Sequence, residues 1–144
     1  MKKTMLLAGA AAFGLAMSLA GAASAQMVML NAKMDGKSET PPADPKATGD
    51  AMIHVDAAKN QVCYTIHVKD LTSATAAHIH KGAAGVAGPP VVMLKAPDAS
   101  GKVEGCADAK PDVVKDLVSN PGDYYVNVHS AEYKGGAIRG QLTR

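Results

Sequence analysis

Hydrophobic and polar positions alternate with a period of two along most of the chain after residue 26. In Asp50 to Asp56, Ala51, Ile53 and Val55 share one face, and Met52, His54 and Asp56 share the other. In Gln61 to Lys69, Val62, Tyr64, Ile66 and Val68 alternate with Cys63, Thr65, His67 and Lys69. A strand with one face in a core produces this pattern, because successive side chains point to opposite sides. Lys59-Asn60 between the two segments reads as a hairpin turn, without the favoured Asn-Gly pair. Met27 to Ala32 predicts a first strand. Five more are predicted at Thr75–Lys81, Pro90–Lys95, Lys102–Cys106, Asp123–Ser130 and Ala137–Leu142. The Pro-rich run Gly36–Pro45 and the Gly/Ala-rich run Gly82–Pro89 read as loops. One segment departs from the alternation. Pro111 suits a first helical turn, Val113, Val114, Leu117 and Val118 follow at helical spacing, and Asn120-Pro121-Gly122 ends the helix. Eight short strands and one short helix predict an all-β fold, an antiparallel Greek-key β-sandwich of the immunoglobulin-like or superoxide-dismutase-like kind.

The first 25 residues follow a different rule. Met1-Lys2-Lys3 is basic, Met5 to Ala20 is apolar and uncharged, and Ala23-Ser24-Ala25 is a small-x-small triplet. This is the pattern of a cleavable secretory signal peptide, with cleavage after Ala25, rather than of a membrane anchor. The expected location is therefore periplasmic or secreted, with 26–144 as the single mature domain and no stable membrane anchor. Of 15 Lys+Arg against 13 Asp+Glu, Lys2 and Lys3 fall in the leader, so the mature charge is balanced. Without a basic run, nucleic acid is excluded as a partner. The hydrophobic fraction of 47% and charged fraction of 19% exclude a disordered chain. Cys63 and Cys106 are the only cysteines. An even pair in an exported chain reads as one disulfide.

Candidate chemistry rests on the histidines. In His78-Ile79-His80, both imidazoles leave one face of a strand while Ile79 enters the core. In Tyr124-Tyr125-Val126-Asn127-Val128-His129, the valines take the inner face, so Asn127 and His129 share the outer one. A third imidazole beside a same-face pair makes a transition-metal site, with copper, zinc, nickel or iron as candidates. His54 and His67 have no such company and read as solvated. Met27, Met29, Met34, Met52 and Met93 offer soft thioethers, although core filling is the commoner role for methionine. No paired carboxylates suggest acid–base work, and no phosphate loop is present, so no nucleotide or organic cofactor is expected.

Several of these segments together resemble the CHRD domain, first named from chordin. They are Ala77-His78-Ile79-His80-Lys81-Gly82, Tyr124 to Ser130, Gly135-Gly136-Ala137-Ile138-Arg139-Gly140-Gln141-Leu142, and Gly88-Pro89 ahead of Val91-Val92. Glu39-Thr40-Pro41-Pro42 adds to them, within Ser38-Glu-Thr-Pro-Pro where the family has Asn-Glu-Val-Pro-Pro. The resemblance spans Val28 to Leu142 and implies an exported domain without a general enzymatic activity. A weaker resemblance is to copper–zinc superoxide dismutases. There, His78 and His80 look like the copper pair, His129 like the later copper ligand, and Arg139 like the arginine that steers an anionic substrate. No histidine lies between His80 and His129, so the bridging imidazole and the zinc ligands are missing. The likeness adds to the metal reading, and copper comes first because imidazole sites follow the Irving–Williams preference. Three functions follow as expectations: a copper-binding protein, a copper-dependent superoxide-dismutase-like oxidoreductase, and a scaffold. In the last, loops Gly36–Thr48 and Gly82–Pro89 would contact another envelope protein.

Overall fold

The computed structural model describes residues 27–144. The expected signal peptide and its cleavage site lie outside the described residues. Eight strands and one helix form in the expected order: β1 (Val28–Asp35), β2 (Thr48–Asp56), β3 (Gln61–Lys69), β4 (Ala74–Lys81), β5 (Pro90–Leu94), β6 (Lys102–Asp108), α1 (Pro111–Ser119), β7 (Tyr124–Ser130) and β8 (Ile138–Gln141). The first strand runs three residues further than the pattern suggested, since Met34 is buried and Lys33 stays outward. The hairpin between β2 and β3 turns through Asn60 in the left-handed region, φ 51°. Asn tolerates that conformation better than most residues.

All strand pairs are antiparallel, in the order β5-β4-β7-β8-β1-β2-β3-β6. The sheet is continuous but nearly divided. Its central seam, β1 with β8, has one ladder pair, Asp35 with Arg139, and one bridge, Asn31 with Thr143. Two four-stranded halves thus fold onto each other, and the edge strands β5 and β6 lie side by side. Taken across that gap, β7 returns beside β4 after β4, β5 and β6, which is a Greek-key path. The result is a sandwich closed almost to a barrel.

The inner faces are the predicted ones. Leu30, Ala32, Met34, Ile53, Val55, Val62, Tyr64, Ile66, Ile79, Val92, Val126 and Val128 are all buried in one core. Val114 and Leu117 add the apolar side of α1. The helix is also held by a polar cluster. Asp116 accepts hydrogen bonds from Lys81 Nζ at 2.7 Å, Tyr124 Oη at 2.5 Å and Asn120 Nδ2 at 2.8 Å. Across β3 and β6, Cys63 and Cys106 face each other in register and are joined as a disulfide.

The hydrogen bond from Lys81, followed by those from Tyr124 and Asn120, holds the Asp116 carboxyl well below the usual carboxylate range. Burial, and then the facing Asp116, push the Tyr124 phenol up to about 12. A folded-state pKa below the unfolded one means stability that is complete above the unfolded pKa and lost as pH falls toward the folded one. Asp116→Asn is expected to cost about 1–2 kcal/mol at pH 7, allowing for partial exposure. The gap to wild type should narrow progressively below about pH 4. Urea unfolding of both proteins at pH 7 and pH 3 checks this, and a gap of equal size at both values would show that the charge contributes nothing.

Candidate metal centre

The outer face of the β4–β7–β8 region is where the described structure departs most from an ordinary strand surface. Alternation predicts that Tyr125, Asn127 and His129 of β7 face solvent. Instead every residue of β7 except His129 is buried. The cover is the 82–89 loop, folded back over the sheet. Gly82 N–H donates to Asp123 O at 2.7 Å, and Lys81 N–H to Pro89 O at 3.1 Å. Gly88 must be glycine, because a Cβ there would lie 1.6 Å from the Lys81 carbonyl oxygen.

Beside this loop, which covers His80 and leaves His78 and His129 partly exposed, the three imidazoles converge. One ring nitrogen from each lies within 4.8 Å of the other two. Nitrogens bound to one ion at about 2.0–2.1 Å can be at most about 4.2 Å apart. A pair 4.8 Å apart must therefore close by at least about 0.6 Å on binding, and by about 1.4 Å for a tetrahedral arrangement. The register explains the convergence. His78 stands opposite Asn127, His80 opposite Tyr125, and His129 opposite Ala76, two residues beyond Asn127 along β7 and on the same face.

A hydrogen bond settles which nitrogen of His80 is free. His80 Nδ1 is 2.8 Å from Gly88 O, and a carbonyl oxygen only accepts, so Nδ1 carries hydrogen and the neutral ring holds its lone pair on Nε2. His129 has an acceptor beside each nitrogen, Lys134 O at 2.8 Å from Nδ1 and Asn127 Oδ1 at 3.1 Å from Nε2. His80 Nε2 is buried without a hydrogen-bond partner, and His129 Nε2 sits 3.0 Å from His78 Nδ1. Burial first, and then the facing His129 ring, push the His78 pKa down. Burial also lowers that of His80, against the bond to Gly88, and His129 and Arg139 depress it further. Both shifts favour the neutral, ligating form. Metal-bound histidines typically donate the other ring N–H to a backbone carbonyl or carboxylate in this way.

Arg139, the candidate for steering an anion, is 1% exposed. Its Nη1 donates to Val86 O at 2.9 Å, and its Nη2 to Ala83 O at 2.8 Å and Gln141 Oε1 at 3.0 Å. Its guanidinium carbon lies 3.4 Å from the centre of the Tyr125 ring. His80 stacks on Tyr125 at 4.8 Å and 8°. Strands β4 and β8 flank β7, so Tyr125 is held between imidazole and guanidinium. This arginine is placed to fix the covering loop rather than to meet a solute.

Three supporting residues have no role in the sequence reading. Asn127 is buried, and its Oδ1 is 3.1 Å from His129 Nε2. Glu39 is buried beside Asn127, one carboxylate oxygen lacks a hydrogen-bond partner, and desolvation raises its pKa. Tyr125 spaces His80 from Arg139 and receives the Gly88 N–H at 3.1 Å. The only early sign of them was membership of the motif segments, since an outer-face Asn or Tyr carries no distinct pattern. His67 is exposed, with Asp50 Oδ2 at 3.8 Å. It and His54 stay away from the trio, as expected.

A family model for the CHRD domain matches residues 30–142. Searches of curated proteins and of solved structures found no match.

Removing the guanidinium should release the loop. Arg139→Met keeps the apolar stem and is expected to lower stability by about 2–4 kcal/mol, since buried acceptors lose their donors. Amide hydrogen exchange at Val86 and Gly88 should speed up at least about tenfold. Unchanged protection there would show that the loop holds without the arginine.

Proposed function

The chain belongs to the CHRD family, and from that premise we propose that it is an exported domain that binds a transition metal, copper first, through His78, His80 and His129. The observation that carries the reading is the pre-orientation of the rings. His80 spends Nδ1–H on the Gly88 carbonyl, leaving its Nε2 for a cation, and His78 and His129 already meet nitrogen to nitrogen at 3.0 Å. The buried, partnerless Nε2 of His80 is costly in a protein that binds nothing there. A cation would take the place of the hydrogen shared between His78 and His129. Three neutral imidazoles without thiolate or carboxylate suit copper, zinc or nickel, and the Irving–Williams order favours Cu(II). Three protein ligands also leave a coordination position for another molecule.

Export is supported by the leader pattern of residues 1–25 and by the disulfide, which persists in oxidising compartments. Binding rather than turnover is the reading, because Arg139 is engaged with the loop and would not attract an anion. The domain then acts as a copper carrier or buffer of the cell envelope.

Titration with Cu(II) against a competing chelator tests this. One equivalent should bind the wild-type protein, and the triple variant His78→Ala/His80→Ala/His129→Ala should bind at least about 100-fold more weakly, given the metal dependence on ligand count. Equal binding by both proteins would remove the metal reading and leave the domain as an interaction module.

A further inference from the structure

The methionines are distributed in a way that core filling does not explain. Of the five after residue 26, Met34 is buried, while Met27, Met29, Met52 and Met93 are exposed. Met is among the residues most often buried, and a single exposed one needs no explanation. Two beside a histidine on one face do. On the outer face of β1 and β2, Met29 stands directly opposite His54, and Met52 stands opposite Asn31. Met52 is thus two residues from His54 on the same strand and diagonal to Met29. Met29 is 51% exposed and Met52 43%, and His54 is half-buried. Leu30, Ile53 and Val55 hold the inner face and fix which side these three take.

Directly opposed residues have Cβ atoms about 4.5–5.5 Å apart, and residues two apart on a strand are separated by roughly 7 Å. Each methionine swings its sulfur on three rotatable bonds. Two thioethers and one imidazole can therefore meet over the triangle formed by Met29, Met52 and His54. The donor set is neutral and soft, with no carboxylate, so it does not suit magnesium or calcium. Soft thioethers select Cu(I).

We propose that Met29, Met52 and His54 form a second metal site, specific for a monovalent soft cation, Cu(I), on the opposite half of the sandwich from the histidine trio. The site depends on no ligand at His78, His80 or His129. Its strand register places the three residues as neighbours on one face, and its exposure lets the ion enter and leave without moving a loop.

Leucine keeps the apolar surface of methionine and removes only the sulfur. In a background lacking the trio (His78→Ala/His80→Ala/His129→Ala), the protein should still bind one equivalent of Cu(I) in anaerobic competition with a chromophoric Cu(I) chelator. Adding Met29→Leu and Met52→Leu should weaken that binding at least tenfold. No Cu(I) binding in the trio-less background, or equal affinity after the leucine substitutions, overturns the proposal. Should the trio-less background fail to fold, the unsubstituted protein decides. With methyl-labelled methionine and up to three equivalents of Ag(I), the Met29 and Met52 methyl resonances should move while that of Met34 stays. Unmoved Met29 and Met52 signals overturn the proposal as well. Loss of Cu(II) binding at the trio alone touches only the other site.

Discussion

The buried guanidinium of Arg139 is the constraint on which the outer face depends. A charge enclosed by protein is tolerated only when its donors are met, and here the acceptors are two loop carbonyls and the Gln141 side chain. The planar, weakly hydrated head also lies flat on Tyr125, which lysine would not reproduce. Through those contacts one residue of β8 pulls the 82–89 loop across β7 and β4. Burial of His80 and Asn127 and the orientation of His80 by Gly88 follow from that pull.

The electrostatics of the pocket run in one direction. Desolvation and mutual repulsion disfavour protonated His78 and His80, and the arginine charge adds to this at His80. The carbonyl of Gly88 fixes the tautomer that leaves Nε2 free on His80. Behind them, Asn127 and Glu39 pack against Gly136, where a Cβ would come within 2.4 Å of the Glu39 carboxylate. With φ at 130°, that position is glycine's for backbone reasons as well. A site pre-oriented in this way would lose little freedom on taking up an ion and could select by donor geometry. The two halves of the sandwich consequently differ. One has a covered imidazole face, and the other an open face with thioethers, on a shared core.

Much was legible from the sequence because a half-buried strand writes its period into the chain. All eight strands and the helix lie where alternation and helical spacing placed them, with ends shifting by a few residues. The pair His78 and His80 and the outer-face position of His129 came from the same rule. Cys63 and Cys106 paired as an even count of cysteines behind a leader-like start suggests, and their cross-strand register supplies the geometry.

What the sequence by itself determined was therefore which side of its own strand each residue takes, since that depends only on neighbours one and two positions away. It could not determine what lies above an outer face. That Arg139 is buried rather than presented to a solute, that Asn127 and Tyr125 support the histidines, and that Glu39 reaches the same pocket from a loop about ninety residues earlier were decided by tertiary structure alone. Each depends on strand order and on a loop folding back, and these contacts join residues about 40–100 positions apart, where no local periodicity records them.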